Sequence, residues 1–389
     1  MNVAIVTSGI LPVPPVKGGA VENLVKFYLD YNEVQNVDIQ FTVYSVYDKL
    51  VPNTDLLKYK KTKFVFINTS IFISKLRKLL FRFTSRNLYY HHSWEFFISE
   101  VAHRVKEEKF DVIIVENRPG FALRLSKSTD AKLILHLHND MLNIDSKDAS
   151  EIFSLYTKVL TVSRYIKERV DTIMPTNKVQ VVYNGIDLEK FKSSFNLELN
   201  RKNFHLSEDD FVVVYTGRIE AVKGVKELLK AFSLLANYKE IKLLIVGGGN
   251  GNINEGEFFL EMAELASSMP EQVFFTGFQS YDKIPLILSL CDIAVVPSIW
   301  EDPFPTTVLE SLAAGLPLIV TRSGGIPEAV NENNAIVLDR NVNLVTNLAN
   351  SIVELYLNKD KRTLMSVHAK ECSRLFDKDI YAKKLLFNL

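Results

Sequence analysis

The stretch WEDPFPTTVLESLAAGLPLIVTRSGGIPEAV, residues 300–330, joins a proline-rich loop to a helical pattern and a short apolar run. Thr306 or Thr307 can cap the helix, and Gly315 can end it. A β-branched strand pattern at 291–297 leads into the loop, and a second apolar run follows the helix. This order of strand, helix and strand predicts a unit of an α/β fold with a parallel sheet.

The same alternation of short β-branched runs and amphipathic stretches continues along most of the chain. It predicts two parallel sheets in tandem. The polar, aperiodic residues 192–210 are the predicted linker. We therefore expect domains at 1–190 and 191–372, and a terminal helix at 373–389 that either ends the second domain or crosses back to the first. The predicted strands are 3–7, 39–45, 64–67, 112–115, 133–136, 159–162, 179–182, 212–216, 242–246, 273–276, 293–296, 318–320 and 335–338.

Composition narrows the class of protein. The chain has 389 residues, 47% of them hydrophobic, which is enough for two domain cores. Its 46 basic and 46 acidic residues argue against a general nucleic-acid binder. Cys291 and Cys372 have no metal-like spacing, so neither a disulfide framework nor a zinc site is expected. The first residues resemble a strand rather than a signal peptide, and no apolar run spans a bilayer. We expect a cytoplasmic protein.

Two cations follow a buried-type strand in YTGRIEAVKGVKELLKAF, residues 215–232. The strand ends at Gly217, and Arg218 and Lys223 lie on the loop before the next helix. Cations beside a helix N-terminus, at the carboxyl end of a parallel strand, favour a diphosphate site. The alternative is two solvated basic side chains on an ordinary loop.

Two further loops could approach a ligand. LLIVGGGNG, residues 243–251, runs from a strand into glycines that include Gly248, although it lacks the dinucleotide fingerprint and a plain turn would also explain it. Asp302 stands on the proline-rich loop and Glu310 on the helix that follows, so both can face one crevice. The alternative is that both carboxylates are surface charges.

Together these segments resemble the nucleotide-sugar-binding domain of retaining glycosyltransferases of family 4. The resemblance implies the GT-B fold, in which two Rossmann-like, doubly wound domains face each other across a cleft. The order and spacing of the motifs make it specific across the second domain. The matching motifs are GRIEAVKG at 217–224, VGGG at 246–249, CDIAVVPS at 291–298, EDPFPTTVLESLAAGLPLI at 301–319 and SGGIPE at 323–328.

The family's hallmark is two glutamates separated by seven residues, with Pro-Phe-Gly after the first. Here Asp302 takes the first position, Glu310 the second, and Pro305 replaces the glycine. The resemblance implies that Glu310 holds the ribose hydroxyls, that Asp302 and its loop hold the sugar, and that Arg218 and Lys223 bind the diphosphate. The implied donor-binding residues are Gly18, Gly19, Gly217, Gly248, Phe304, Pro305 and Thr306.

The first domain matches through fewer residues. PPVKGGAVENLVKFYLDY, residues 14–31, places Gly18 and Gly19 between a strand and a helix, where a phosphate could sit, although a plain turn is the alternative. LILHLHND, residues 133–140, ends with two histidines. The family has a histidine here that contacts the donor sugar, which implies that role for His138, whereas His136 is interpreted as a core histidine.

The implied activity is retaining transfer of a hexose from a UDP- or GDP-linked donor to a saccharide or lipid-linked saccharide, in surface polysaccharide or glycolipid synthesis. Retention would follow a front-face route in which the leaving phosphate helps to deprotonate the acceptor. No metal and no cofactor are expected, because the cations of the loop can stabilise the diphosphate. An epimerase or a phosphorylase of the same fold is an alternative enzyme. A non-catalytic nucleotide-sugar-binding protein or partner subunit is the alternative from another class.

A basic segment at 71–94 contains five cations and no acidic residue. On a helix, its apolar stripe would be flanked by the cations, which could lie at headgroup level in an anionic membrane. We therefore expect peripheral contact with the inner face of the cell membrane as one reading. The other is a helix packed on the first sheet with a solvated basic edge. The cations are Lys75, Arg77, Lys78, Arg82 and Arg86.

Overall fold

The computed structural model describes residues 1–35, 37–68, 92–192, 199–248 and 256–389. The basic segment, apart from its last three residues, lies outside the described residues, so the membrane reading stays a prediction. The described chain divides into two compact units. The first comprises Met1–Gly185 and Lys378–Leu389, and the second comprises Ile186–Asp377.

A seven-stranded parallel sheet forms the first unit, with the strand order β3-β2-β1-β4-β5-β6-β7. The strands are β1 Asn2–Val6, β2 Gln40–Val46, β3 Thr62–Ile67, β4 Val112–Glu116, β5 Lys132–Leu137, β6 Lys158–Thr161 and β7 Val179–Val181. The helices are α1 Ala20–Val34, α2 His92–Val105, α3 Ala122–Leu125, α4 Ala149–Leu155, α5 Arg164–Asp171 and the terminal α13 Lys378–Phe387.

The strand order changes direction between β1 and β4. The chain winds from β1 outward to β3 and then returns to the other side of β1. In open α/β sheets, a crevice forms outside the carboxyl ends of the strands at such a switch point, and ligands bind there. The side chains that follow β1 and β4 therefore occupy the position in this unit best suited to contact a ligand.

The second unit contains a six-stranded parallel sheet with the order β10-β9-β8-β11-β12-β13. Its switch point lies between β8 and β11. The strands are β8 Phe211–Thr216, β9 Ile241–Val246, β10 Val273–Gly277, β11 Ile293–Val296, β12 Leu318–Thr321 and β13 Ala335–Leu338. The helices are α6 Glu189–Lys192, α7 Val225–Ser233, α8 Glu257–Ser267, α9 Ile284–Ser289, α10 Thr306–Ala314, α11 Leu344–Leu357 and α12 Lys359–Ser373.

Each sheet packs its apolar residues into a core of its own. In the second unit, the fully buried Leu228, Phe232 and Ile352 bring α7 and α11 against the sheet. Burying an aliphatic or aromatic side chain of this kind contributes about 1.5–3 kcal/mol. In the first unit, Tyr28 of α1 and Tyr381 of α13 lie in one cluster with the strands. The terminal helix therefore completes the core of the first unit, although it follows the second unit in sequence.

The predicted strands are confirmed, each within two residues of its expected bounds. The predicted linker at 192–210 runs over residues that, where described, belong to the second unit. Arg201 anchors this stretch by donating to the backbone oxygen of Leu290 and pairing with Asp292 at 3.1 Å. One arginine makes these contacts from within an aperiodic sequence. Because the sequence has no hydrophobic periodicity, it gave no sign that the segment packs against the second unit.

The prediction that Thr306 or Thr307 caps α10 is wrong. Pro305 is the N-cap residue in an extended conformation, and no side chain caps the helix. Thr306 lies in the first turn instead, where its hydroxyl hydrogen-bonds the Glu310 side chain. The predicted end of the helix is confirmed, because Gly315 adopts a left-handed conformation with φ of 77°.

Candidate functional site

Lys223 and Asp302 meet at the switch point of the second sheet. Lys223 lies in the loop after β8, and Asp302 lies in the loop after β11. Their Nζ and Oδ2 atoms are 2.6 Å apart, and both side chains are mostly buried. The backbone N–H of Ile299 donates to the carbonyl of Val222 at 3.0 Å, which ties the two loops together. The structure thus brings together two residues that are 79 positions apart.

Asp302 is held by the loops around it, through its carboxylate and its backbone. Ser298 Oγ lies 3.3 Å from Oδ2, and the N–H of Asp302 donates to Ser323 Oγ at 3.1 Å. The N–H of Gly325 donates to the Asp302 carbonyl at 2.8 Å. Gly324 has a φ of 49°, and a Cβ there would lie 2.2 Å from that carbonyl oxygen. Gly324 is therefore required for the close approach of this backbone to Asp302.

Glu301, the neighbour of Asp302, has a different environment. Its Oε2 accepts from the N–H of Gly324 at 2.6 Å, and its other oxygen pairs with Arg340. These contacts lower the pKa of Glu301, although partial burial opposes them. Glu301 therefore stabilises the glycine turn, whereas Asp302 faces Lys223. The structure thus gives the two adjacent carboxylates different partners.

Glu310 lies in the second turn of α10 and is 6% exposed. Burial raises the pKa of its carboxyl to about 7, because a carboxylate is costly to desolvate, and the hydrogen bond with Thr306 only partly opposes this. A buried carboxyl with a raised pKa is typical of a functional site.

Glu310 makes the stability of the fold depend on pH. Its folded pKa of about 7 exceeds the ordinary value of 4.5, so the folded state binds the proton more tightly. The stabilisation is complete below pH 4.5 and is lost as the pH rises through 7. We expect Glu310→Gln to gain stability relative to the wild type between pH 5 and pH 8, by on the order of 3 kcal/mol.

Thermal unfolding of both proteins at several pH values measures this difference. The exposed Glu332→Gln serves as the control and should show no such trend. A stability difference between Glu310→Gln and the wild type that stays constant over this range would contradict the assignment of the raised pKa to Glu310.

Arg218 lies apart from this ion pair. Its side chain is 63% exposed and its Nη1 pairs with Glu220 at 2.8 Å. The Tyr215 hydroxyl donates to its carbonyl at 2.7 Å. The structure therefore places Arg218 on the predicted loop but brings it to Glu220 rather than to Lys223 and Asp302.

The predicted glycines form a close backbone crossing at the ends of β8 and β9. Gly217 donates to the Val246 carbonyl at 3.0 Å, and Gly248 accepts from Ile219 at 3.0 Å. A Cβ on Gly247 would lie 1.8 Å from the carbonyl oxygen of Gly217. Gly247 therefore has to be a glycine at this edge of the sheet, next to the loop that carries Arg218.

Phe304 and Pro305 fix the proline-rich loop and the start of α10 in different ways. Phe304 is 3% exposed, and its ring lies 5.6 Å from that of Phe376. Its side chain therefore anchors the loop in the core of the unit. Pro305 is the N-cap of α10 and has no backbone N–H. The free N–H groups at this end of the helix therefore belong to Thr306 and the residues after it.

In the first unit, a buried carboxylate connects the two predicted histidines. Glu116 Oε2 lies 3.0 Å from His136 Nδ1 and 2.9 Å from His138 Nε2, and Glu116 Oε1 accepts from the Tyr28 hydroxyl at 2.9 Å. Burial would raise the pKa of Glu116, but the two histidines outweigh burial and lower it to about 2. Burial lowers the pKa of His138 to about 4, so this ring is neutral at physiological pH.

His138 keeps one ring nitrogen for another partner. Its Nε2 faces Glu116, while its Nδ1 is buried without a partner among the described residues. His136 is completely buried, as its interpretation as a core histidine predicts. The ligand atoms of Glu116, His136 and His138 lie within 4.8 Å of one another, which would suit a metal ion, and hydrogen bonding alone also accounts for this geometry.

A carboxyl group that sequence reasoning missed, that of Glu22, lies in the first turn of α1 beside the glycine loop. Gly18 and Gly19 precede α1 with φ values of 74° and 107°. A Cβ on Gly19 would lie 2.2 Å from Oε2 of Glu22, whereas one on Gly18 would meet open space. Burial raises the pKa of Glu22 to about 7. Glu22, in the first turn of α1, is therefore partly protonated near neutral pH.

Sequence reasoning also missed Ser298, Ser323 and Glu116. The two serines lie within motifs that carry the family resemblance. Their hydroxyl contacts with Asp302, however, become visible only in the folded structure. Glu116 offered a stronger signal, because it is a carboxylate that directly follows a fully apolar strand pattern. A charged residue at that place belongs to the carboxyl edge of a parallel sheet, where ligands bind.

Comparison with known proteins matches both halves of the chain. A family model described as Glycosyl transferases group 1 matches residues 197–371, and one described as Glycosyltransferase Family 4 matches residues 69–190. Between them they match well over half of the chain. The chain belongs to glycosyltransferase family 4. Lys223, Asp302 and Glu310 of this glycosyltransferase all fall within the first of these matches.

Individual relatives agree with this assignment. The Bacillus subtilis (strain 168) protein YtcC is 26% identical to this glycosyltransferase over 99% of this chain and 91% of its own length. The lipopolysaccharide 1,2-N-acetylglucosaminetransferase of Salmonella typhimurium is 27% identical over 60% of each chain. The crystal structure of Anabaena Alr3699/HepE in complex with UDP-glucose matches with a TM-score of 0.73 at 19% identity, over the whole of both chains. The fold of this glycosyltransferase is GT-B.

None of the helices in the described ranges of this glycosyltransferase has both the length and the apolar composition needed to span a bilayer.

Proposed function

We propose that this glycosyltransferase moves a hexose from a nucleotide-diphosphate sugar to a saccharide or lipid-linked saccharide, with retention of configuration and without a metal ion. The Lys223–Asp302 pair carries the proposal, because it places one cation and one carboxylate together at the switch point of the second sheet, 2.6 Å apart. The UDP-glucose complex of Anabaena HepE, which has the same fold, supports a UDP-linked hexose as the donor.

Lys223 would bind the diphosphate. Its ammonium group pairs with Asp302, so a diphosphate would have to replace Asp302 as the partner of that group. The diphosphate of the donor carries two negative charges, which make the exchange favourable. A positioned cation also stabilises the further negative charge that develops on the phosphate when the sugar departs. The displaced Asp302 carboxylate could then accept hydrogen bonds from sugar hydroxyls.

Glu310 would bind the ribose. It lies eight residues after Asp302 on the helix that the loop leads into. It is buried and, among the described residues, forms no ion pair. Two ribose hydroxyls could donate to its carboxylate and offset the cost of burying it. Retention would follow from a front-face attack, in which the leaving phosphate takes the proton of the acceptor hydroxyl.

Synthesis of a surface polysaccharide or glycolipid is the proposed setting. The Salmonella relative, which is named for lipopolysaccharide and N-acetylglucosamine transfer, supports this setting. A lipid-linked acceptor would also suit peripheral contact of the basic segment at 71–94 with an anionic membrane on the cytoplasmic side.

The test is release of UDP or GDP from a panel of nucleotide sugars, with and without a membrane extract as acceptor. We expect release of one nucleotide that depends on the acceptor, with or without EDTA, and an α-linked product from an α-linked donor. Tight nucleotide binding without turnover would instead favour a non-catalytic nucleotide-sugar-binding protein. Inversion of the anomeric configuration would contradict the proposed mechanism.

A further inference from the structure

Arg118 is a buried cation at the switch point of the first sheet. It follows the end of β4 by two residues and is only 7% exposed. Burial lowers the pKa of its guanidinium to about 10, and the negative charge of Glu22 opposes this, so the side chain remains charged at neutral pH. A buried cation is costly unless an anion compensates it.

The surroundings hold the guanidinium in place. Its Nε donates to the carbonyl of Ser8 at 3.3 Å, and its Cζ lies 3.6 Å from the ring centroid of Trp94. The preceding Asn117 has a φ of 58°, and its side-chain oxygen accepts from the N–H of His138 at 3.1 Å. Its Nη1 also donates weakly to the sulfur of Met141 at 3.9 Å. The guanidinium is therefore stacked on one face and fixed by Nε and Nη1, which leaves the N–H groups of Nη2 for an anion.

The charge of Arg118 is not matched by a contacting carboxylate. Among the described residues, no Asp or Glu oxygen forms an ion pair with it, and Glu22 acts on it only at longer range. The part of this unit that lies outside the description, residues 36 and 69–91, contains no Asp or Glu. Glu22 itself is a weak counterion, because burial raises its pKa to about 7.

The chain beside Arg118 offers a polar group that suits an oxyanion rather than a hydrophobic ligand. Thr7 directly follows β1 and precedes Ser8, whose carbonyl accepts from Arg118. Thr7 is 1% exposed, and its Oγ1 lacks a partner in the described part of the chain. A planar guanidinium can donate two parallel hydrogen bonds to a carboxylate or a phosphate, and a hydroxyl can add a third.

We propose that Arg118 binds an oxyanion, a carboxylate or a phosphate, carried by the acceptor of this glycosyltransferase. The identification of the ligand as an acceptor rests on the proposed function, whereas the anion site itself does not. The acceptor would then be an acidic saccharide or a sugar phosphate rather than a neutral sugar.

Three small probes test the site: glucose, glucuronate and glucose 6-phosphate. They share a pyranose ring and differ in charge, so a titration monitored by NMR reports the contribution of the anion. We expect the wild type to bind at least one anionic probe about tenfold or more tightly than glucose. The stronger of the two anionic probes identifies a carboxylate or a phosphate as the natural group.

Arg118→Gln should lower the affinity for the anionic probe to that for glucose. Arg118→Lys keeps the charge but loses the planar guanidinium, so its affinity for the anionic probe should lie between those of the wild type and Arg118→Gln. This variant remains informative if the glutamine variant does not fold. Arg124→Gln is the matched control, since Arg124 is an exposed arginine of the same unit that pairs with Glu95. It should bind all three probes as the wild type does.

Two results would overturn the proposal. One is a wild type that binds neither anionic probe better than glucose, and the other is a preference for the anion that both Arg118 variants retain. Each titration is run with and without UDP, because a retained anion signal that UDP displaces is a case of the second result and belongs to the nucleotide site. Calorimetry with UDP alone tests the proposed function, so the two failures are distinguishable.

Discussion

Lys223→Met is expected to lower kcat/KM for the nucleotide sugar by a factor of about 10²–10³, because it removes the cation that stabilises the departing diphosphate. The substitution also leaves Asp302 buried without its ion-pair partner, which costs stability of its own. Activity and thermal unfolding therefore have to be measured on the same preparation. Steady-state release of UDP gives the first, and calorimetry gives the second.

Two further variants separate the loss of the cation from the loss of stability. Lys223→Met combined with Asp302→Asn removes the unpaired charge, so it should recover stability without recovering activity. Lys226→Met is the control in the adjacent helix, where the lysine lies on the surface and pairs with Glu261. Turnover within about threefold of the wild type in the single Lys223 variant would contradict the role of Lys223 in catalysis.

Gly324→Ala is expected to reduce turnover by about 100-fold through a displacement of the Asp302 loop. The new Cβ would lie 2.2 Å from the Asp302 carbonyl oxygen, and the residue would have to keep a φ of 49°. A left-handed conformation costs an alanine roughly 1 kcal/mol, and the contact itself forces the backbone to move. A shift of about 1 Å at a reacting group is enough for a loss of this size.

Gly256→Ala is the matched control for this prediction. Gly256 has no positive φ, and a Cβ there would meet nothing within 4 Å. The two alanine variants should therefore differ in both kcat/KM and Tm. Equal activity of Gly324→Ala and Gly256→Ala would show that the close contact between the two loops is not required for turnover.

Much of the fold could be predicted from residues alone, because strand runs such as 212–216 and 293–296 are short, β-branched and bounded by turn residues. The candidate site was predictable where a charged residue follows such a run, as Lys223 and Asp302 do. Their direct contact was not, since two loops 79 residues apart meet only when β8 and β11 become neighbours. The role of Glu301 was also hidden, because adjacent carboxylates carry no directional information in sequence.

The importance of Arg118 could not be predicted from the sequence either. In sequence it is one of 46 basic residues, and nothing in NRPG sets it apart from a solvated cation. Its importance depends on burial, on the Trp94 ring and on the lack of a contacting carboxylate among the described residues. These are properties of neighbours that lie far away in the chain.

The sequence alone determined the alternation of strands and helices, the two sheets and the loops that carry polar groups, because these depend on local patterns of apolar and turn residues. Tertiary structure decided which of those groups meet, which are buried, and how burial alters their charge. Lys223 with Asp302, the raised pKa of Glu310 and the uncompensated charge of Arg118 all depend on long-range packing. Electrostatic energy varies with distance and solvent exposure in three dimensions, and neither is a function of position along the chain.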